Sequence, residues 1–308
     1  TFLGFHAVGG FEGLVEKIGS MGPEYRNHFD LIQPADTKTP FPWTGILFGL
    51  TFVMANAYMI GNQTIVQRCL TAKNEWHAKA SMIFASGLKM LVPILVLFPG
   101  LMAIILHPGL EDGDQALPMM IKSILPPGLI GLMFSAFFAG LMSSVDSLLN
   151  STATLFTKDI YEPYIKKGAR DKHYLKVGKI TTLVLLIIGV ATSPISGKYP
   201  GIYVAIQTFL SYFQGPLFAI LLLGMFWKRA TQWGGLSGLL IGIAFATILN
   251  TFKGAFFTIE DPFLYVSWWS FVAGFIITIV VSLFTSPHPD KHLVGLVYKS
   301  TLKKGLSK

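Results

Sequence analysis

Hydroxyl side chains are concentrated in one segment, residues 139–161, which continues the apolar run 129–138. On an α-helix of about 3.6 residues per turn, most of them share one face with the carboxylate of Asp146. A bilayer offers such groups no hydrogen-bond partner, so this face should meet other helices, water or a bound ion. We interpret it as an ion-binding face. Its other members are Ser143, Ser147, Asn150, Ser151, Thr154 and Thr157.

Ser143 and Ser144 are the candidate ion ligands of this segment. Neighbouring side chains point about 100° apart on a helix, yet both hydroxyls can reach a cation at the edge between their faces. Sodium prefers hard oxygen ligands, as calcium and magnesium do, so two hydroxyls with backbone carbonyls form a sensible partial shell. The alternative is a serine pair that only packs against another helix.

Lys89 lies near the middle of an apolar helix with the sequence ASGLKMLVPILVLFPG. It is about eight residues, or roughly 12 Å, from the predicted cytoplasmic end, which makes snorkelling difficult. Its ammonium therefore needs a carboxylate, carbonyl groups or a polar ligand. A solute-binding role and a structural pairing with an acid such as Asp146 both meet that need.

Amide side chains form a second polar group at membrane depth. The stretch ANAYMIGNQTIVQR places Asn56, Tyr58 and Asn62 inside the bilayer. Gln207 and Gln214 are seven residues apart in a later stretch and lie on one side of it. Such groups can bind hydroxyl-rich or zwitterionic ligands, or they can hydrogen-bond to neighbouring helices.

Membrane-spanning helices must position these residues. Hydrophobic residues make up 52% of the chain and charged residues 13%, well below the share in soluble domains, and mean hydropathy is +0.57. We predict an all-α polytopic membrane protein with a single domain over residues 1–308. About seven apolar stretches can cross about 30 Å of hydrocarbon. They are residues 43–66, 81–106, 128–156, 177–193, 202–227, 234–252 and 265–285.

The first residues, TFLGFHAVGG, include no initiator Met and no signal-peptide pattern. Residues 1–15 look like the end of one further span, so we expect an N-terminal portion of the protein to be missing.

Basic residues are distributed as the positive-inside rule requires. The connections on the side of the C-terminus hold about three times as many of the 24 lysines and arginines as the opposite connections. This predicts a cytoplasmic C-terminus, and it explains the pI near 9.4 without a nucleic-acid partner. The expected location is the plasma membrane or the bacterial inner membrane.

Glycine and proline mark possible interruptions and contacts. Pro93, Pro99 and the segment 214–216 predict kinked or unwound backbone within two spans. The small residues Gly234, Gly235, Gly238 and Gly242 recur every three or four positions, which predicts close helix packing.

The residues at membrane depth do not suit an enzyme. An intramembrane aspartyl protease needs two acids that share a proton, and Asp146 is the only predicted one. A serine hydrolase needs a nearby base, and of the seven histidines only His6 could lie within a span. We therefore predict no catalytic residues.

Together, these segments resemble the sodium/solute symporter family, especially its sodium/glucose cotransporter branch. The resemblance covers nearly the whole chain and implies a partial leucine-transporter-type inverted-repeat helical bundle. This chain would hold the end of the fifth core helix, core helices six to ten and two further spans. The segments that carry the resemblance are AGLMSSVDSLLNSTATLFTKDIY, QTIVQRCLTAK, GLKMLVPILVLFPG, IQTFLSYFQGP and LLLGMFWKRAT.

The resemblance also implies residue roles at both predicted sites. The hydroxyls of Ser143 and Ser144 and the carbonyl of Gly140 would bind sodium, with further ligands from a core helix that this chain lacks. Lys89 and Gln207 would contact a sugar.

Tyr58 would form the inner gate that closes the sugar site from the cytoplasm. The chain departs from the family here, because Met59 replaces the usual Trp, and Asn56 and Asn62 alter the usual amide and acid pattern. Sodium coupling is therefore better supported than a sugar substrate.

The resulting hypothesis is a sodium-coupled symporter that works by alternating access, with sodium, a small polar solute and the lipid bilayer as partners. A sugar is favoured as the solute, and a polyol, an amino acid or a carboxylate is the alternative. A passive channel or sensor on the same fold is the main rival.

Overall fold

The computed structural model describes residues 2–22, 25, 28–30, 32–110, 112–199, 201–259, 261–293 and 296–298. These residues are organised as α-helices. In chain order the helices are α1 (Phe2–Val8), α2 (Gly10–Ser20), α3 (Ala55–Gly61), α4 (Gln63–Leu70), α5 (Glu75–Lys89), α6 (Val92–Leu106), α7 (Ala116–Ile124), α8 (Pro127–Leu155), α9 (Asp171–Thr192), α10 (Ile202–Phe226), α11 (Gln232–Thr251), α12 (Lys253–Phe256), α13 (Phe263–Phe284) and α14 (Asp290–Leu293).

Two π-helical runs continue this pattern, Gly45–Met54 before α3 and Phe156–Ile165 after α8. Short 3₁₀ helices occupy Gly113–Gln115 and Ser193–Lys198. The chain divides into two compact units, one of Thr1–Phe29 with Gln67–Ile202 and one of Asp30–Val66 with Tyr203–Lys308. The predicted single domain stays a prediction.

Six helical segments of the described chain are long and apolar enough to span a membrane, and a bent pair forms a seventh if it counts as one span. Each overlaps one of the predicted stretches, which confirms the predicted all-α membrane architecture. The segments are the pair Gly45–Gly61 with Gln63–Leu70, then Glu75–Leu106, Pro127–Ile165, Asp171–Lys198, Ile202–Phe226, Gln232–Thr251 and Phe263–Phe284.

In the first unit, α1 and α2 pack against α6 and α7. Their buried side chains include Val8, Leu14, Ile18 and Met102. Gly9 joins α1 to α2 with a φ of 91°, a left-handed conformation that glycine adopts without strain. The predicted end of a span at residues 1–15 is therefore two helices with a sharp turn between them.

In the second unit, α11 crosses α13 at the predicted glycine positions. Gly234, Gly238 and Gly242 are buried, and a Cβ on Gly238 would lie 2.8 Å from the carbonyl oxygen of Gly274. Gly235 points elsewhere, because no described atom lies within 4 Å of a Cβ placed there. Close packing is therefore confirmed for three of the four glycines.

The predicted interruptions have different outcomes. Helix α10 runs without a break through Pro216, which is buried, so the segment 214–216 is not unwound. The span 75–106 departs from α-helical hydrogen bonding at Met90 and Leu91, just before Pro93 in the first turn of α6, but it continues as one apolar segment. Proline is compatible with a first turn because no intrahelical bond to its nitrogen is needed there.

Candidate sodium and solute site

Helix α8 carries the predicted ion-binding face, and only part of that face is covered within the described residues. Ser151 and Thr157 are buried, with 6% and 5% of their surface exposed. Ser143, Ser144 and Asp146 are exposed. The part of the face near Gly140 is therefore open to a ligand. Further along the chain, exposed residues, Asn150 and Thr154, alternate with the covered Ser151 and Thr157.

Two of the three predicted sodium ligands lie together. The Ser144 hydroxyl donates to the carbonyl oxygen of Gly140 over 3.0 Å. Two oxygens at this separation subtend about 77° at a cation about 2.4 Å from each, the ligand distance typical of calcium. Ser143 directly precedes Ser144, lies about 100° away around the helix and is exposed. The geometry suits a partial oxygen shell.

Arg68, near the end of α4, belongs to the first unit and approaches this face from outside α8. Its Nη2 lies 3.5 Å from the Ser147 hydroxyl oxygen, to which it donates. Arg68 was not predicted as a neighbour of the polar face. No pattern in the sequence pairs these two residues, which are 79 positions apart.

Lys89 is the last residue of α5 and is exposed. It precedes a tighter helical turn, in which the backbone nitrogens of Met90 and Leu91 donate to the carbonyls of Gly87 and Leu88 over 3.2 and 3.1 Å. The predicted mid-span position of Lys89 agrees with the span Glu75–Leu106.

Two of the predicted solute-binding amides have local hydrogen bonds. The Asn56 side-chain nitrogen donates to the carbonyl oxygens of Thr51 and Phe52 over 3.1 and 2.8 Å. Asn62 separates α3 from α4 in an extended conformation, with φ −82° and ψ 111°. Its side-chain oxygen accepts from the backbone nitrogen of Thr64 over 3.0 Å, as a residue that caps a helix N-terminus does.

Asn62 therefore stabilises the bend of the first span, where the two helical segments meet at 54°. Asn62 was predicted as a polar residue in the bilayer, and its capping role was not predicted. The Asn-x-Thr spacing before an apolar turn was the available signal.

The remaining predicted solute-site and gate residues, Tyr58, Met59 and Gln207, lie in the second unit at intermediate or high exposure. Tyr58, the predicted gate, is 42% exposed, and the adjacent Met59 is partly buried. Gln207 is partly buried and its side-chain nitrogen donates to the Tyr203 hydroxyl over 3.1 Å. Gln214 is buried instead, at 8% exposed. Of the two glutamines, Gln207 is the more exposed.

Comparisons with known proteins agree with the fold and the sequence pattern. The profile described as sodium:solute symporter family matches residues 1–242. A sodium/glucose cotransporter 1 from Sus scrofa is 33% identical over 345 residues, which cover 97% of this chain and 52% of that protein. A sodium/glucose cotransporter from Vibrio parahaemolyticus is 31% identical and covers 94% of this chain and 56% of its own length.

A human sodium/myo-inositol cotransporter 2 is 34% identical, over 78% of this chain and 40% of that protein. The chain thus spans about half the length of the sodium/glucose cotransporters it matches. A solved structure of a Na⁺-coupled sialic acid symporter, in a substrate-bound outward-open state, matches with a TM-score of 0.65 at 23% identity. It covers 82% of this chain and 52% of that one, and it confirms the predicted leucine-transporter-type helical bundle.

Proposed function

Because the chain belongs to the sodium:solute symporter family, we propose that the whole protein couples the entry of sodium to the uptake of a sugar by alternating access. The observation that carries the proposal is the family match over residues 1–242. The oxygens of Gly140 and Ser144, 3.0 Å apart on an exposed helix face, offer a place for the cation. Family membership supports a transporter rather than an enzyme.

In this proposal, sodium binds to the Gly140 carbonyl and to the hydroxyls of Ser143 and Ser144. The Ser144 proton turns away from the Gly140 carbonyl, so that lone pairs of both oxygens face the cation. Sodium that binds the outward-open state more tightly than the inward-open state shifts the protein towards the outward-open state. The solute then meets an ordered pocket.

The proposed solute ligands are Lys89, Gln207, Tyr58, Asn56 and Asn62. The Lys89 ammonium and the Gln207 amide are donors for sugar hydroxyls, and the Tyr58 ring offers an apolar face and a hydroxyl. Asn56 donates from its nitrogen to its own helix, so the proposal assigns its side-chain oxygen to the solute.

Tyr58 and Met59 form the proposed inner gate. Methionine has more rotatable bonds than the tryptophan usual in the family and fills irregular space, so it closes the site less rigidly.

The energetics allow one sodium ion per solute. A tenfold sodium gradient and a 100 mV potential supply about 1.4 plus 2.3 kcal/mol, enough to concentrate a neutral solute roughly 500-fold. For inward sodium flow we propose an orientation with the C-terminus in the cytoplasm, as the basic residues predict. The proposed membrane is a plasma membrane or a bacterial inner membrane. Residues 299–308, at the C-terminal end, lie outside the described part of the chain.

The names of the relatives support a hydroxyl-rich solute, since they include glucose and myo-inositol cotransporters. A cyclic polyol is accordingly the second candidate. Both solutes present several hydroxyls to the donors of Lys89 and Gln207.

Proteoliposomes with the full-length protein test the proposal. An inward sodium gradient should accumulate labelled glucose or myo-inositol above its external concentration, whereas an equal potassium gradient should not. Counterflow should occur with sodium on both sides. Ion currents without accumulation would instead establish a channel.

A further inference from the structure

A groove of 720 Å³ lies in the first unit between the end of α8, the π-helical run that follows it, and α9. Its lining does not include Gly140, Ser143 or Ser144, the proposed sodium ligands on α8. Its lining residues are Asn150, Ala153, Thr154, Thr157, Lys158, Asp171, Lys172, Tyr174, Leu175, Gly178, Lys179 and Thr182.

The groove has an excess of positive charge, with three lysines and one carboxylate, Asp171, in its lining. Lys158 makes an ion pair of 2.9 Å with Glu162 and lies over the ring of Tyr174. Lys172 and Lys179 are seven residues apart on α9, and both are exposed, so their ammoniums can reach one ligand on the same face. The groove therefore favours an anion.

The hydroxyl group of Thr157 is buried in the groove lining and, within the described part of the chain, lacks a hydrogen-bond partner, which favours a ligand there. The side chain is only 5% exposed, yet its oxygen has no hydrogen-bond partner among the described residues. A buried hydroxyl without a partner is costly. The three other lining hydroxyls, of Thr154, Tyr174 and Thr182, donate to backbone carbonyls. The Thr157 proton is thus the hydroxyl donor that the lining can offer to an anion.

The position of the groove in the membrane selects the kind of anion. Both α8 and α9 belong to candidate spans, and the groove is at the end where the basic loop 166–170 joins them. On α9, Leu175, Ile180 and Leu183 are more than half exposed and offer apolar surface beside the lysines. A basic pocket with apolar surface between two spans is suited to a lipid.

We propose that the groove between α8 and α9 binds the phosphate head group of an anionic phospholipid. Lys172 and Lys179 neutralise the phosphate, Thr157 donates a hydrogen bond to one of its oxygens, and the acyl chains lie along the exposed apolar side of α9. The proposal concerns the first unit alone and stands whether or not the protein transports a solute.

Native mass spectrometry of the full-length protein in detergent, titrated with phosphatidylglycerol or phosphatidylcholine, tests the site. The wild-type protein should retain phosphatidylglycerol preferentially. The double variant Lys172→Gln, Lys179→Gln should bind it about 30-fold more weakly, from the two lost lysine contacts. The control variant Lys166→Gln, Lys167→Gln removes the same charge from exposed positions outside the groove lining and should bind as the wild type does.

Thr157→Val retains the shape of the side chain and removes the hydroxyl, so it should weaken binding about fivefold without loss of stability. Equal losses in the two lysine variants, or no preference for phosphatidylglycerol in the wild type, would overturn the proposal. So would competition by inorganic phosphate at the same concentration as the lipid, which would identify free phosphate as the ligand.

Discussion

The Ser144 hydroxyl donates to the Gly140 carbonyl over 3.0 Å, and Ser135 makes the same bond to Gly131 over the same distance. The two serines are nine residues apart on α8, which places them about 180° apart around the helix. The local bond is therefore not specific to a sodium site. What distinguishes Ser144 is its position beside the polar face.

This pair provides a matched test of the sodium site. Ser143→Ala and Ser144→Ala should each raise the sodium concentration for half-maximal uptake at least about tenfold, because a charge-assisted contact is lost. Ser135→Ala removes the same local bond on the other side of α8 and should leave sodium affinity unchanged. Uptake in proteoliposomes, titrated with sodium, measures the difference. Unchanged sodium affinity in both of the first two variants would remove the serines from the site.

Lys89 is expected to act on the solute rather than on sodium. Lys89→Met should raise the KM for the sugar by about 10- to 100-fold, because a charged donor to solute hydroxyls is lost, with little change in sodium affinity. Lys79 on the same helix forms an exposed ion pair of 2.6 Å with Glu75, so Lys79→Met is the control and should have almost no effect. If Lys89→Met unfolds the protein instead, its role is structural, and thermal unfolding separates the two results.

Asn62 has a capping role in the structure and a proposed solute role, and two substitutions separate them. Asn62→Ala removes the acceptor for the Thr64 nitrogen and should lower the free energy of unfolding by about 1 kcal/mol. Asn62→Ser retains a neutral acceptor oxygen at the helix N-terminus but loses the amide donor. It should unfold at nearly the same temperature as the wild type and raise the KM for the sugar. Unaltered transport by Asn62→Ser would leave Asn62 with the capping role alone.

Hydropathy predicted the spans because length and apolar content depend on the membrane and not on neighbouring helices. The interruptions could not be predicted in the same way. Pro216 sits in an unbroken helix, where it packs against Gly242 and Gly274, whereas the first span bends at Asn62 with no proline or glycine in the break itself. Whether a helix breaks depends on whether packing contacts and other hydrogen bonds replace the backbone hydrogen bonds that the break removes.

For the candidate site, too, the sequence predicted what lies within one helix and not the contacts between segments. Residue type and helical spacing placed Ser143 and Ser144 beside one polar face of α8, since spacing within one helix fixes direction. Spacing could not show that the Asn56 nitrogen bonds to Thr51 and Phe52, because that bond follows from the π-helical run before α3. Nor could it find Arg68 beside Ser147, a contact made only by the tertiary fold.

The crossing of α11 and α13 gives a stability prediction that is independent of transport. A Cβ on Gly238 would lie 2.8 Å from the Gly274 carbonyl oxygen, so Gly238→Ala must push two helix backbones apart. We expect a loss of about 1–3 kcal/mol in the free energy of unfolding. Gly235→Ala, one turn earlier on α11, meets no described atom within 4 Å and should be neutral or slightly stabilising, because alanine favours helix. Thermal unfolding followed by tryptophan fluorescence compares the two variants, and equal melting temperatures would contradict the close contact between these helices.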